Sequence, residues 1–322
     1  NIARYKSRLV LLGNLQNEAD EYSDTFSPTA RLSSIRTLIS IAAQERLDLT
    51  CFDIESAFVQ ANVDHEIYIR PPPGYSFPPG KVARLRRSLY GLRQASRLFH
   101  AKLHTFLLAY GFQQVGEDGT LFRFQSNDDV LYLSMYVDDG LVASSSPQLY
   151  QKFMCALKTE FTISNESPLQ YYLGIAFTRD RDGSVFLDQS KYIRELLERF
   201  GMQDSSSEPT PLAPNQHLNG DDCCDRYDPE MRQRIQTYQS LIGALLWLST
   251  ATRPDIAYAT NQLARYLTNP GHSHFVAAKR VLRYLKGTQE LGLRYSHSEF
   301  NGNVLTAYCD SDFAGDPEDR RS

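Results

Sequence analysis

The sequence predicts an α+β fold, and three observations carry that expectation. Leu131, Leu133, Met135 and Val137 alternate with Tyr132, Ser134 and Tyr136, the period of a half-buried strand; after Asp138-Asp139-Gly140 the apolar run resumes as Leu141-Val142-Ala143. A second hairpin precedes it, with Leu121-Phe-Arg-Phe124 leading into the Asn127-Asp128-Asp129 turn. Helical spacing brackets both, in Ser96–Tyr110 and in Pro147–Phe161, so helices are layered with an antiparallel sheet.

At 322 residues the chain has room for two or three modest cores. Apolar residues make up 42% and charged residues 22%, ordinary proportions for a globular protein. The net charge of −4 means that a nucleic-acid partner would need a local basic surface. The five cysteines (51, 155, 223, 224 and 309) form no zinc-like spacing, and an odd count without a framework favours a reducing compartment. No signal peptide is visible, and the longest apolar run, Leu241 to Leu248 interrupted by Gly243, is too short to cross a bilayer. The chain opens at Asn1 without Met and closes at Arg320-Arg321-Ser322, so both ends read as cut from a longer protein.

From the start, Tyr5 to Leu12 reads as a strand ending at Gly13, followed by an acidic loop from Glu18 to Asp24. Ser33-Ser34 would cap a helix over Ile35–Ala43. Leu47 to Asp53 is a strand ending in a carboxylate, and Ala57 to Val63 continues as a helical turn. Pro71-Pro-Pro-Gly74 and Pro78-Pro79-Gly80 frame a loop. Lys81 to Lys102 holds Arg84, Arg86, Arg87, Arg93 and Arg97 with no acid among them, which predicts a local positive face. Phe99, Leu103, Phe106, Leu107 and Tyr110 make the next helix amphipathic, and Gly111 closes it. Beyond the Pro147–Phe161 helix, Tyr171–Thr178 and Val185–Leu187 form a hairpin about Asp182-Gly183, and Lys191–Phe200 is helical. Residues 204–229, rich in Ser, Pro, Asn and Asp, read as a linker. Helices then cover Arg232–Leu248, Ile256–Leu267 and His274–Leu285, the last with Lys279, Arg280, Arg283 and Lys286 on one flank. Strands return at Leu291–Tyr295 and Gly302–Cys309.

Taken alone, Asp138-Asp139-Gly140 suits an ordinary solvated turn as well as a metal site. Asp53 supplies a third carboxylate at another strand end, 85 residues earlier. Three carboxylates on neighbouring strand ends suit two Mg²⁺ about 4 Å apart, the arrangement for in-line phosphoryl or nucleotidyl transfer. Lys6 and Arg8, on the first strand, offer cations for a triphosphate.

At this point a resemblance becomes specific. Tyr136-Val-Asp-Asp139, Asp53-Ile-Glu-Ser-Ala-Phe58 and Leu89-Tyr-Gly-Leu-Arg-Gln-Ala95 are similar to the catalytic and nucleotide-positioning boxes of the reverse transcriptase of copia-type LTR retrotransposons. So are Lys6-Ser-Arg-Leu-Val10, Asp24-Thr-Phe-Ser-Pro28, Tyr172-Leu-Gly174, Thr252-Arg-Pro-Asp255 and Ala278–Gly287, in order along nearly the whole chain. Tyr308-Cys-Asp-Ser-Asp-Phe-Ala-Gly-Asp316 resembles the opening of the RNase H domain that follows in that family.

The resemblance implies a right-hand polymerase: fingers and palm with the primer-grip hairpin over 1–203, the linker over 204–229, a helical thumb and connection over 230–290, and a truncated RNase H start over 291–322. It implies RNA-directed DNA polymerase activity with two Mg²⁺, Mn²⁺ being the alternative ion, held by Asp53, Asp138 and Asp139. Lys6 or Arg8 would meet the dNTP triphosphate, Phe58 would be the steric gate against a ribose 2′-OH, and Tyr90 and Gly91 would position the nucleotide. Tyr136, Arg93, the Leu173-Gly174 primer grip, Lys279 and Arg280 would meet primer and template. Asp310 would be the first RNase H carboxylate of an incomplete site, so no RNase H activity is expected. Implied partners are an RNA template, a DNA primer, dNTPs and the flanking integrase and RNase H segments of a polyprotein, with no membrane; the implied setting is intracellular, a cytoplasmic virus-like particle and the nucleus. The sequence departs from the family at Glu55, Gln60-Ala61 and Ser96-Arg-Leu-Phe99, positions that bear on rate and fidelity. A decayed element that binds nucleic acid without catalysis is the alternative, and the intact Asp53, Asp138 and Asp139 argue against it.

Overall fold

In the computed structural model, residues 7–18, 20–117, 119–214, 216, 218–220, 223, 231–297 and 306–310 are described. They fall into two units, 1–169 and 170–322.

The first unit is built on a six-stranded sheet. Its elements are α1 (Leu32–Glu45), β1 (Asp48–Ile54), a 3-10 turn (Ala57–Gln60), the small hairpin β2 (Tyr68–Ile69) and β3 (Ala83–Arg84), α2 (Ala95–Tyr110), β4 (Gln113–Val115), β5 (Leu121–Ser126), β6 (Asp129–Tyr136), β7 (Asp139–Ser144), α3 (Pro147–Glu160) and β8 (Ile163–Pro168). The strand order is β4-β5-β6-β7-β1-β8, and every neighbouring pair is antiparallel. Alternation in β6 sends Leu131, Leu133 and Met135 into a core shared with Phe52, Ile54 and Val142. Phe99, Leu103 and Leu107 of α2 and Phe153, Met154 and Leu157 of α3 close that core, each set at helical spacing. Local chemistry sets the helix ends. The Ser146 hydroxyl accepts from the Leu149 N–H at 3.3 Å with Pro147 in the first turn of α3, and Gly111 ends α2 at φ 109°.

The N-terminal stretch and β8 differ from expectation. Ser7–Leu12 is not a strand: Leu9, Val10 and Leu12 are exposed, and Leu11 makes one bond, its N–H to the Tyr90 carbonyl at 2.9 Å. β8 was not legible, because Ile163-Ser-Asn-Glu-Ser-Pro168 has almost no apolar alternation. It is an edge strand, where polar residues face water without cost.

The second unit pairs a four-stranded sheet with helices. β9 (Tyr171–Tyr172), β10 (Ile175–Arg179), β11 (Val185–Asp188) and β12 (Leu293–Tyr295) lie in the order β12-β11-β10-β9. The single strand expected over Tyr171–Thr178 is thus broken by a tight turn in which Leu173 and Gly174 take φ 49° and 78°. Beside Gly174 stands Trp247, whose indole would be 3.8 Å from an added Cβ. Helices α4 (Ser190–Arg199), α5 (Met231–Ala251), α6 (Ala257–Ala264) and α7 (His272–Gly287) bury Leu196, Ile242, Leu245, Leu263, Val281 and Leu285 together. The buried Arg253 clasps the base of α7: it pairs bidentately with Asp255 at 3.0 and 2.7 Å, and it donates to the Thr288 carbonyl at 2.8 Å. The Thr252-Arg-Pro-Asp255 motif is therefore structural in this unit. The described part of the 204–229 stretch lies along α7, where Glu208 bridges Arg280 and Arg283 at 2.6 and 2.8 Å, and Leu212 and Leu218 pack on the helical core. Thr306–Cys309, the described part of the strand expected over Gly302–Cys309, carries no regular element. Among the described residues no helix is long and apolar enough to cross a membrane.

Candidate functional site

The site forms where β1 meets the β6–β7 hairpin. Register puts Asp53 directly opposite Asp139 and Phe52 opposite Gly140. The Ile54 N–H donates to the Asp138 carbonyl at 2.8 Å, so Asp53 and Asp139 occupy the neighbouring, non-hydrogen-bonded pair, the closer kind. Opposed residues share a face, so both carboxylates leave the sheet on the side away from Phe52 and Ile54.

The turn lies one residue earlier than the sequence suggests. Tyr136 pairs with Asp139, leaving Val137 and Asp138 as the two turn residues, with Val137 at φ 58°. A β-branched residue in the left-handed region is strained by roughly 1–3 kcal/mol, and such strain persists only where the surroundings enforce it. Here the β1 ladder enforces it by holding Asp139 in the strand. Gly140 is accordingly not a turn glycine. An added Cβ would sit 2.3 Å from the Phe52 ring, so its role is to let that ring lie flat under β7.

Electrostatics mark the corner. Burial, then the neighbouring Asp138 and Asp53, push the Asp139 carboxyl up to about 6. Asp138 is raised too, by burial and by Asp53, with Arg8 acting in the opposite sense. Ser164 of β8 donates its hydroxyl to the Asp53 carboxylate at 2.6 Å. No sequence pattern pointed to Ser164, because it sits in the strand that the sequence conceals.

Arg8, Phe58 and Tyr90 join the same corner. The Arg8 guanidinium lies 5.5 Å from the Tyr90 ring centre, and the Phe58 ring, set on the 3-10 turn, lies 4.9 Å from it. Burial and Asp138 raise the Tyr90 hydroxyl's pKa, against the pull of Arg8. Gly91 makes the approach possible: its φ is 92°, and a Cβ there would meet the Leu11 carbonyl oxygen at 2.0 Å. Tyr136 closes the group as the strand partner of Asp139, partly exposed.

The remaining expected residues lie elsewhere. Arg93 donates to the Gly13 carbonyl at 2.8 Å and stacks over Tyr22, fastening the N-terminal segment. The positive face expected over 81–102 is partly compensated by acids from other segments: Arg84 pairs with Glu66, Arg97 with Asp64 and Lys102 with Glu160. Leu173, Gly174, Lys279 and Arg280 belong to the second unit, where Glu208 engages Arg280. Asp310 is exposed. Lys6 lies outside the described residues.

The donor set fits a hard divalent cation. Carboxylate oxygens are its ligands, and the burial and mutual repulsion that raise Asp138 and Asp139 are what such an ion offsets. Among the described residues no group of three or more Asp, Glu, His or Cys side chains is arranged to hold a metal ion by itself. That agrees with the habit of Mg²⁺, which takes one or two carboxylates and completes its shell with water and substrate phosphates.

Comparison with known proteins shows the family of the chain. The profile of the family described as reverse transcriptase (RNA-dependent DNA polymerase) matches residues 1–214. The chain is 34% identical over 326 residues to the retrovirus-related Pol polyprotein from transposon TNT 1-94 of Nicotiana tabacum, covering 100% of this chain and 24% of that protein. It is 35% identical over 323 residues to the corresponding polyprotein from transposon RE1 of Arabidopsis thaliana, covering 99% and 21%. A transposon Ty5-1 protein of Saccharomyces cerevisiae is 32% identical over 263 residues, 80% of this chain and 82% of that one. The chain thus spans under a quarter of the length of the two polyproteins. Among solved structures, a foamy viral protease-reverse transcriptase in complex with double-stranded DNA aligns over 77% of this chain and 37% of its own, at 14% identity and a TM-score of 0.39.

Proposed function

Because the chain belongs to the reverse transcriptase (RNA-dependent DNA polymerase) family, we propose that it is the polymerase segment of a copia-type retrotransposon polyprotein and that it adds dNTPs to a primer 3′-OH on RNA and DNA templates. The observation that carries the reading is the Asp53–Asp139 register with Asp138 beside it, in a corner that also holds Arg8, Phe58 and Tyr90.

Asp53, Asp138 and Asp139 would hold two Mg²⁺, or Mn²⁺. Bound there, the ions would activate the primer hydroxyl and neutralise charge on the triphosphate. The protein's part is positioning. Ser164 fixes the Asp53 carboxylate, and the strained Val137–Asp138 turn aims Asp138. Arg8 presents a permanent cation to the triphosphate across the Tyr90 ring. Phe58, braced between Tyr90 and Phe99, would be the ring that excludes a ribose 2′-OH. Gly91 lets the backbone approach closely, and Tyr136 and the Leu173-Gly174 turn would meet the primer.

The test is extension of oligo(dT) on poly(rA) with Mg²⁺ and labelled dTTP. Asp138→Asn should lower the rate by at least ~10²-fold, since both activation and charge stabilisation depend on the ligand. Absence of extension, or extension undiminished in Asp138→Asn, removes the assignment.

A further inference from the structure

His100 and His104 stand one turn apart on the same face of α2, their rings 5.8 Å apart centre to centre and 25° from parallel. Each points a ring nitrogen at an oxygen of the β4–β5 hairpin. His100 Nε2 lies 3.4 Å from the Gly119 carbonyl oxygen, and His104 Nε2 lies 3.1 Å from Gln114 Oε1. The two oxygens come from neighbouring places: a Cβ added to Gly119 would be 3.9 Å from the Gln114 amide nitrogen. Gln114 opposes Phe122 in the β4–β5 ladder and so shares its face, and the buried Phe122 ring backs His104 at 5.8 Å. All four groups lie in the first unit, beside the edge strand β4, and the cluster shares no residue with the carboxylate corner.

Packing on Phe122 accounts for one imidazole on this face, but not for two whose nitrogens both meet oxygens. Two histidines at i and i+4 on a helix are a chelating pair for a transition metal. Zn²⁺ takes nitrogen and oxygen ligands at about 2.0–2.2 Å, so ligands of one ion stand about 3.0 Å apart at a right angle and about 3.4 Å apart at the tetrahedral angle. The two nitrogen–oxygen separations, 3.1 and 3.4 Å, fall in that interval. A neutral imidazole has one proton to place, so an ion can take the Nε2 lone pair while the proton sits on Nδ1. Imidazole nitrogen suits Zn²⁺, Cu²⁺ and Ni²⁺, whereas Mg²⁺ keeps to oxygen. Both imidazoles are half-buried and Gln114 is exposed, which gives the ion a path in and lets water complete its shell. We propose that His100 and His104, with the Gly119 carbonyl oxygen and the Gln114 amide oxygen, bind a transition-metal ion of the Zn²⁺ kind that staples α2 to the β4–β5 hairpin. The site goes beyond the polymerase reading, because the ion holds the edge of the sheet and takes no part in nucleotidyl transfer.

The experiment titrates ZnCl₂ into the full chain by calorimetry, without primer, template or dNTPs. The D53N/D138N variant should keep the site, which separates it from ion binding at the carboxylates. His100→Gln and His104→Gln should each weaken Zn²⁺ binding by about tenfold or more, since losing a ligand does at least what losing its outer partner does. Zn²⁺ should raise the urea midpoint of the wild type but not of His104→Gln. A second measurement needs no variant. Diethyl pyrocarbonate acylates an unliganded imidazole, and tryptic digestion leaves His100 in peptide 98–102 and His104 in peptide 103–123, each the one histidine of its peptide. Zn²⁺ should protect both peptides over the same range of metal concentration, while Mg²⁺ protects neither. Acylation unchanged by Zn²⁺ in either peptide, or Zn²⁺ affinity equal to that of the wild type in both histidine variants, overturns the proposal.

Discussion

Ser164 holds the Asp53 carboxylate through a 2.6 Å hydrogen bond across the β1–β8 pair. A hydrogen bond to a charged group is worth about 1.5–3 kcal/mol, and this one orients a proposed metal ligand. Ser164→Ala should therefore lower kcat by roughly 10- to 100-fold and raise the Mg²⁺ concentration needed for half-maximal rate, with Ser164→Thr restoring most of both. Steady-state extension kinetics across a Mg²⁺ series would check this; an unchanged Mg²⁺ dependence would show that the hydroxyl is incidental.

Gly140 is required by contact, not by backbone conformation. Adding a methyl 2.3 Å from the Phe52 ring forces β1 and β7 apart. Gly140→Ala should cost about 1–3 kcal/mol, read as a lowered urea midpoint, and should reduce extension as well because Asp53 and Asp139 ride on the same two strands. The double variant with Phe52→Leu should regain stability; if it does not, the clash is not the cause.

Phe58 touches Tyr90 on one side and Phe99 on the other. Phe58→Ala should raise ribonucleotide incorporation relative to deoxynucleotide by more than about tenfold, since a steric exclusion is lifted. Competition between labelled UTP and dTTP measures it, and unchanged sugar selection would leave the ring as core packing only.

The Arg253–Asp255 clasp predicts a pH dependence in the second unit. Burial raises the Asp255 carboxyl, but the bonds from Arg253 and from the Tyr284 hydroxyl at 2.8 Å outweigh it, and the pKa falls below the ordinary carboxylate range. A carboxyl depressed on folding adds stability above its unfolded pKa and loses it as pH falls through the folded value. Asp255→Asn should therefore lower the urea midpoint near neutrality and flatten its decline below pH of about 4. Arg253→Met removes the hydrogen bonds to Asp255 and Thr288 but leaves an exposed carboxylate that water can solvate, so it should cost only about 1–3 kcal/mol at pH of about 7. Parallel acid limbs for wild type and Asp255→Asn would refute the linkage.

Much of this was legible, for a physical reason. Leu131, Leu133 and Met135 alternate because one face of β6 is buried, and Asp53 and Asp138 stood out through the family boxes they sit in, since an Asp-Gly turn alone implies no chemistry. Other features depended on partners distant in sequence. The turn shifted to Val137–Asp138 because the β1 ladder claims Asp139, overriding the local preference for Gly in a turn. β8 was hidden because an edge strand needs no apolar face. Arg280 looked free for phosphate until Glu208, 72 residues earlier in the chain, was found on it.

The contact between Trp247 and the Leu173-Gly174 turn has an optical consequence. The chain contains one tryptophan, so its intrinsic emission excited at the red edge arises from a single indole standing beside Gly174. Any event that bends or covers the turn changes the polarity around one known fluorophore. The unlabelled protein thus carries its own reporter for the hairpin, readable in a stopped-flow instrument without altering a residue.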